Sequence, residues 1–421
     1  MDALFPPGPQ KSLLLGDAPH FKENPLGFML QSARTYGDLV HFRFGPSHAY
    51  LLTNPRDAHY VLVERHDQFA TTMSLGRAFN SAMGHDLFAP KDKTTKKPLR
   101  RGMFRVEWLE HTLDAAARHA AQELEHRQHN NPTELLDLLT GKIVAATLLG
   151  DVTRTDLVIR LQRALRRHSS KRDFQSPLTL PTWIPTTRNR ECQRADKQIT
   201  QFLEQILEDQ QANRQPSVLQ NLLQNYENEA YALEELLTLL QAGYEAAAQT
   251  VAWAWALLAQ HPEAAEALHA EVVPLGSRKP NTDDLANLVY CEMVLKETMR
   301  LHPPTKIISR QAKKETRLGE YYVPSGSTIF ISPYIIHHSA RYFTSPDRFL
   351  PERFGESFAR QSSSYAYMPF GAGTYAQVEQ EYALTVGKLT LALLAQRFRF
   401  TAAAQPENAT VPVGLGLAPK E

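Results

Sequence analysis

Cysteine is scarce in this chain: of 421 residues only Cys192 and Cys291 carry thiols, 99 positions apart. No CxxC and no Cys/His pair at ligand spacing accompanies them, which excludes a disulfide scaffold and a structural zinc site and makes a reducing cytoplasm the expected setting. An excess of one charge is also missing. With 46 Lys+Arg against 45 Asp+Glu the formal charge is +1, so bulk electrostatics point to no nucleic acid or other polyanion. Long uninterrupted apolar runs are absent as well. The most apolar segment, Leu236 to Ala259, contains Gln241, Tyr244, Glu245 and Gln249, each expensive in hydrocarbon, and reads as a buried helix. The first fifteen residues lack a charged stretch followed by an apolar one, so neither a leader nor a membrane anchor is expected.

What is present divides into three parts. Through about residue 105 the pattern mixes strands and helices. His41–Phe44 and Ala49–Leu52 alternate like strands across the turn signal Gly45-Pro46-Ser47, and Pro55 opens a helical pattern that runs to His66. From about 106 to 301 the reading is almost wholly helical, with apolar residues at three and four spacing in Leu113–His126, Leu136–Leu149, Asp156–His168, Glu191–Asn213 and Leu233–Gln260. Pro262 reads as a stop for the last of these. From 302 to 421 a small β region contains the turn Tyr321–Gly326 and the strand Thr328–Ile331, and a helix over about Glu379 to Arg397 closes the pattern. The fold class expected is mainly α with a small β region.

Three stretches carry a resemblance. Glu297-Thr298-Met299-Arg300 is an ExxR on a helix, whose spacing sets the two side chains side by side. Pro351-Glu352-Arg353-Phe354 supplies a second arginine about fifty residues later, and Phe370-Gly371-Ala372-Gly373 precedes the last helix. With Ala242-Gly243-Tyr244-Glu245 in the long central helix and Pro6-Pro7-Gly8-Pro9 at the start, the set resembles the soluble bacterial cytochromes P-450, over essentially the whole chain. The resemblance implies one P-450-like domain over 1–421. It also implies that Glu297, Arg300 and Arg353 form a buried structural network, and that Arg310 contacts a haem propionate.

Other positions depart from what the resemblance implies. Gln377 falls where the axial cysteine thiolate is expected, Tyr375 where an arginine is, and Glu379 where a glycine is. Glu245 keeps the acid of an acid-alcohol pair, but Ala246 replaces its threonine. The segment Lys93 to Lys97, expected to hold a WxxxR, has no tryptophan. A dinucleotide fingerprint over Gly371–Ala376 is disfavoured because no strand of a βαβ unit precedes it, and Asp283-Asp284 reads as a pair of ordinary helix-start acids.

From these departures the sequence leads to a haem-independent, non-oxidative enzyme that ionises and cyclises a prenyl diphosphate in an inherited apolar cavity. In that expectation Glu245, Tyr244 and Glu379 are catalytic, and Glu379 and Glu381 hold Mg²⁺ in place of haem. Lys93, Lys97, Arg310, Tyr375, Gln377 and Trp253 then bind the substrate and its diphosphate. The partner expected is a lipophilic small molecule, with no nucleic acid and no membrane. Two alternatives stand beside it. One is a non-catalytic auxiliary that stabilises a partner protein such as a glycosyltransferase. The other is a haem protein with a ligand other than cysteine, for which Tyr375 is the candidate.

Overall fold

The computed structural model describes residues 4–9, 16–71, 138, 140–172, 186–213, 217–226, 229–240, 246–278, 280–355, 358 and 365–399. Within these the architecture is mainly helical with a small sheet region. The helices are α1 (Ala18–Glu23), α2 (Pro25–Tyr36), α3 (Pro55–His59), α4 (Thr155–Arg172), α5 (Thr187–Asn213), α6 (Val218–Asn225) and α7 (Glu229–Leu239). They continue with α8 (Ala246–Gln260), α9 (Pro262–Val272), α10 (Val289–Leu301), α11 (Pro333–His337) and α12 (Thr374–Arg397). The strands are β1 (Leu39–Phe44), β2 (Ser47–Leu52), β3 (Phe69–Thr71), β4 (Ile308–Ala312), β5 (Thr316–Leu318), β6 (Tyr321–Val323) and β7 (Thr328–Ile331).

The β region does not belong to one end of the chain. A five-stranded sheet in the order β1-β2-β7-β4-β3 interleaves strands from both ends, with β2 parallel to β7 and the other pairs antiparallel. Local alternation shows each strand but carries no record of its partner, so the pairing of Tyr50 with Ile329 is invisible in either segment alone. The N-terminal strap is sewn to this sheet. His41 N donates to Pro7 O at 3.0 Å and Tyr322 N donates to Leu4 O at 2.9 Å. Gly8 lies so close to β1 that a Cβ there would stand 1.8 Å from His41 O.

α8 ends at Gln260, just before Pro262 as expected, and Pro262 also opens the next helix. His261 caps α9 and the proline occupies its first turn, where the missing N–H would have had no intrahelical partner. The helix periodicity of the middle third otherwise matches α4 and α5, each longer than its apolar pattern by several polar residues. The predicted helix Leu113–His126 lies outside the described residues, as do 241–245 between α7 and α8.

α12 organises the helical side of the core. From Thr385 to Ala395 it is buried on every face, as expected of a helix that is apolar all round, and Leu389 and Leu393 fall in two different buried clusters. It packs closely on α10: a Cβ on Gly387 would stand 3.1 Å from Leu295 Cδ1. Glu292 of α10 bridges Lys388 of α12 at 2.7 Å and Lys296 at 2.6 Å. The amide groups of Tyr290 and Cys291, which a helix start leaves unpaired, donate to the Glu271 carboxylate of α9. Among the described residues no helix is long and apolar enough to cross a membrane.

Candidate functional site

The site is built where α10, β4 and the start of α12 meet. Glu297 and Arg300 lie one turn apart on α10, both fully buried. Arg300 Nε and Nη2 donate to the two Glu297 carboxylate oxygens at 2.7 and 2.9 Å in fork geometry. Arg353 Nε adds a third bond to the same carboxylate at 3.2 Å, and Leu350 N a fourth at 3.0 Å. Arg300 gives its other three protons to the carbonyls of His337, Pro346 and Arg348, and Arg353 donates to those of Thr344 and Ser345. Every charge is therefore paired and the Arg300 fork is filled, the condition under which buried ions are tolerated.

His337, missed in the sequence reading, couples this network to the segment before α12. Its Nδ1 donates to Arg300 O at 3.1 Å and its Nε2 accepts from Met368 N at 3.0 Å. Burial, then Arg300 and His338, pushes its pKa down to about 3, so the ring is neutral and fixed in one tautomer. Two further bonds hold the same segment: Tyr367 OH donates to Lys296 O at 3.1 Å and Thr305 N to Pro369 O at 3.1 Å. Phe370 and Gly371 are thereby presented against β4. Gly371 has φ +85°, and a Cβ there would lie 2.7 Å from Ile308 Cδ1, so glycine is required on both counts.

Two cations flank that contact. Arg310, on β4, is half-buried. Burial lowers its pKa, and its Nη1 donates to Ser309 O at 2.9 Å, with no carboxylate paired to it among the described residues. Lys306 Nζ is enclosed without a hydrogen-bond partner, and burial brings its pKa down to about 7. The sequence reading missed Lys306 too. Its signal was a lone lysine in Pro303-Pro304-Thr305-Lys306-Ile307-Ile308, directly after the ExxR helix.

Of the other expected site residues, Trp253 and Glu381 are the ones whose side chains the structure describes, and they do not come together with Arg310. Trp253 on α8 is stacked face to face on His302, with ring centroids 3.7 Å apart and planes 10° apart, so that face is not free to receive a carbocation. Glu379 and Glu381 both lie within α12, which begins five residues earlier than its apolar pattern does. Residues two apart on a helix do not face each other, and Glu381 is exposed, so the pair cannot hold one Mg²⁺ together. Lys93, Lys97, Tyr244 and Glu245 lie outside the described residues. Tyr375 and Gln377 are placed on the α12 backbone only. Asp284 accepts both Arg278 Nη groups and Asn281 N, so it is a paired capping residue and not part of a metal cluster.

Neither cysteine stands at this site. Cys192 lies buried in α5. Cys291 lies in α10 with its Sγ toward Lys388 O, and burial raises its thiol pKa. The fit to a haem is thus one-sided: the half-buried Arg310, with no carboxylate paired to it among the described residues, suits a porphyrin carboxylate beside the Phe370 segment.

Comparison with known proteins bears on the same region. The family model described as Cytochrome P450 matches residues 6–421. Cyclooctat-9-en-7-ol 5-monooxygenase of Streptomyces melanosporofaciens is 30% identical over 411 residues, covering 92% of this chain and 87% of the relative. Cyclooctatin synthase of the same organism is 28% identical over 420 residues, covering 92% and 88%. Cytochrome P450 3A17 of Cavia porcellus is 25% identical over 455 residues, covering 97% and 88%. These matches correct the functional expectation. One near full-length relative is named as a monooxygenase and another as a cytochrome P450, against a haem-independent prenyl diphosphate cyclase or lyase and against Mg²⁺ in place of haem.

Proposed function

Because the chain belongs to the cytochrome P450 family, we propose that it is a haem-dependent monooxygenase acting on a lipophilic cyclic substrate. The observation that carries this reading is the near full-length match, at 30% identity, to a relative named for monooxygenation of cyclooctat-9-en-7-ol. Haem would supply activation of dioxygen: one oxygen atom enters a C–H bond, and the other leaves as water with two protons and two electrons from a redox protein. The chain's own part is to hold that group and exclude water. Arg310 would take a porphyrin carboxylate, its desolvated guanidinium gaining a charge-assisted hydrogen bond. The Glu297–Arg300–His337–Met368 chain of bonds fixes the segment that leads into α12.

The finer part of the proposal concerns the iron ligand. Both thiols lie on other helices, and the sequence offers Tyr375 and Gln377 in the first turn of α12. We infer that Tyr375, in that turn, would hold the iron, its phenolate being a group chemically able to bind ferric iron. Titration of purified protein with haemin, followed by absorption, tests this directly. One haemin per chain, without thiolate-type absorption on reduction with carbon monoxide, is expected. Oxygenated product should form from cyclooctat-9-en-7-ol when a reducing system is present. A chain that takes up no haemin would refute the reading.

A further inference from the structure

A buried ammonium with nothing to bond is costly, and Lys306 is in that position. It lies two residues before β4 and four before Arg310. Alternate residues of a strand share a face, so Ile308 and Arg310 point to one side. On that side Ile308 meets the Phe370–Gly371 turn. Lys306 and Arg310 therefore stand on either side of Ile308 in the chain, at the point where β4 meets the segment before α12.

Among the described residues no carboxylate pairs with either of them. Glu297 is fully engaged by Arg300, Arg353 and Leu350. The charged and titratable groups around His302, which lies between Trp253 and this region, are Lys306, His338 and Arg300, all cationic or neutral. The surplus is positive, and the enclosing surface is apolar on the sheet side, with Ile308, Ile329 and Ile331 buried.

We propose that Lys306 anchors a carboxylate-binding subsite, acting with Arg310 on the face of β4 that meets the Phe370 turn. Its ligand is a lipophilic molecule carrying a carboxylate. Two sources share that chemistry: the carboxylates of a porphyrin, and an acid group on the substrate. The porphyrin source rests on the haem reading above; the substrate source does not.

The full chain and the variants Lys306→Met and Lys306→Gln are titrated with two pairs of probes. One pair is haemin and haemin dimethyl ester, the other dodecanoate and dodecanol, with binding read by quenching or shift of tryptophan fluorescence. Trp253, stacked on His302, is a local reporter. Loss of one charge-assisted hydrogen bond corresponds to about 10- to 100-fold in affinity. The wild-type chain should prefer the acid in at least one pair, and both variants should lose that preference by this factor while binding the neutral partner unchanged.

Loss confined to the porphyrin pair assigns the subsite to the cofactor, and loss confined to the dodecanoate pair assigns it to the substrate. If the wild-type chain takes up no haemin yet the dodecanoate preference is present and lost in the variants, the haem reading fails and the subsite stands. Unchanged preferences in both pairs, or no acid preference in the wild-type chain, overturn the proposal. Melting temperatures no lower than wild type confirm that the variants are folded, as expected when a buried charge is removed.

Discussion

His337 joins Arg300 to Met368: one ring nitrogen donates to the carbonyl of the first and the other accepts the amide of the second. Replacing the ring with phenylalanine, His337→Phe, keeps volume but leaves a buried N–H and a buried C=O without partners. The cost should be about 2 to 5 kcal/mol, read as a lowered urea midpoint. Hydrogen exchange at the Met368 amide should accelerate as well. The wild-type ring has a pKa of about 3 in the fold against 6.5 outside it. The unfolded chain therefore binds more protons between those values, and stability falls as pH drops through that window.

Arg300 answers to a different loss. Its guanidinium satisfies both oxygens of a fully buried carboxylate and three main-chain carbonyls. Arg300→Ala strands Glu297 with only Arg353 and the Leu350 amide, and should destabilise by about 3 to 5 kcal/mol. Removing both partners with Glu297→Leu and Arg300→Met together should cost less than Arg300→Ala alone. Denaturant unfolding of the three variants decides this, and equal costs would show that the pairing is not what matters.

The ExxR spacing and the later Arg353 were legible because a helix brings residues three apart together whatever surrounds it. The family resemblance joined the rest of the network. His337 and Tyr367 were not legible: each acts through a main-chain group 31 to 71 positions away, and no local pattern marks such a partner. Trp253 was misjudged because helical periodicity says which side of α8 a residue occupies but not that a histidine from beyond α10 covers its face. The Glu379 and Glu381 pairing was read from nearness in sequence, whereas residues two apart within a helix, as both are in α12, do not share a face. The largest error was functional. Substituted positions at the haem face were weighed above near full-length similarity, although buried cations such as Arg310 suit a carboxylate-bearing group as well as a diphosphate.

Position 377 allows a direct test of ligation. If the axial ligand comes from the first turn of α12, Gln377→Cys places a thiol where the resemblance puts the thiolate. Haemin-loaded Gln377→Cys should then gain thiolate-type absorption on reduction with carbon monoxide, whereas the unmodified protein should lack it, and Tyr375→Phe should alter the ferric spectrum. Thiolate-type absorption in the unmodified protein would move the ligand to Cys192 or Cys291 and refute the assignment.

The N-terminal strap carries a pH-sensitive contact. His41 Nε2 and His48 Nδ1 are 2.9 Å apart, sharing one proton, and Phe5 stacks on both rings at 5.0 and 5.2 Å. Burial, then His48 and Arg43, lowers the His41 pKa from 6.5 to about 4. A second proton on the pair is thus resisted by the fold, and stability contributed here is present above pH 6.5 and lost as pH falls toward 4. Exchange of the Tyr322 amide, which donates to Leu4 O, should rise over that interval before the core unfolds. His48→Phe should abolish the rise; an unchanged exchange profile in that variant would separate the strap from the histidines.

Lys306 gives the same sign in a different window, at alkaline pH. Its ordinary pKa is 10.5, and burial brings it to about 7 in the fold. Between those values the unfolded chain holds a proton that the folded chain has released, so stability rises as pH rises from 7 toward 10.5. Below 7 both states are charged, and the folded state bears the full desolvation cost, on the order of 5 kcal/mol by the size of the shift. Lys306→Met should therefore be more stable than wild type at pH 7, and the difference between the two should shrink as pH is raised. Other groups titrate in both proteins alike, so the difference isolates this amine. A carboxylate ligand bound at Lys306 would hold the proton in place and flatten the wild-type curve. A constant difference across pH 7 to 10.5 would show that the amine keeps its charge in the fold and that its counter-ion is already present.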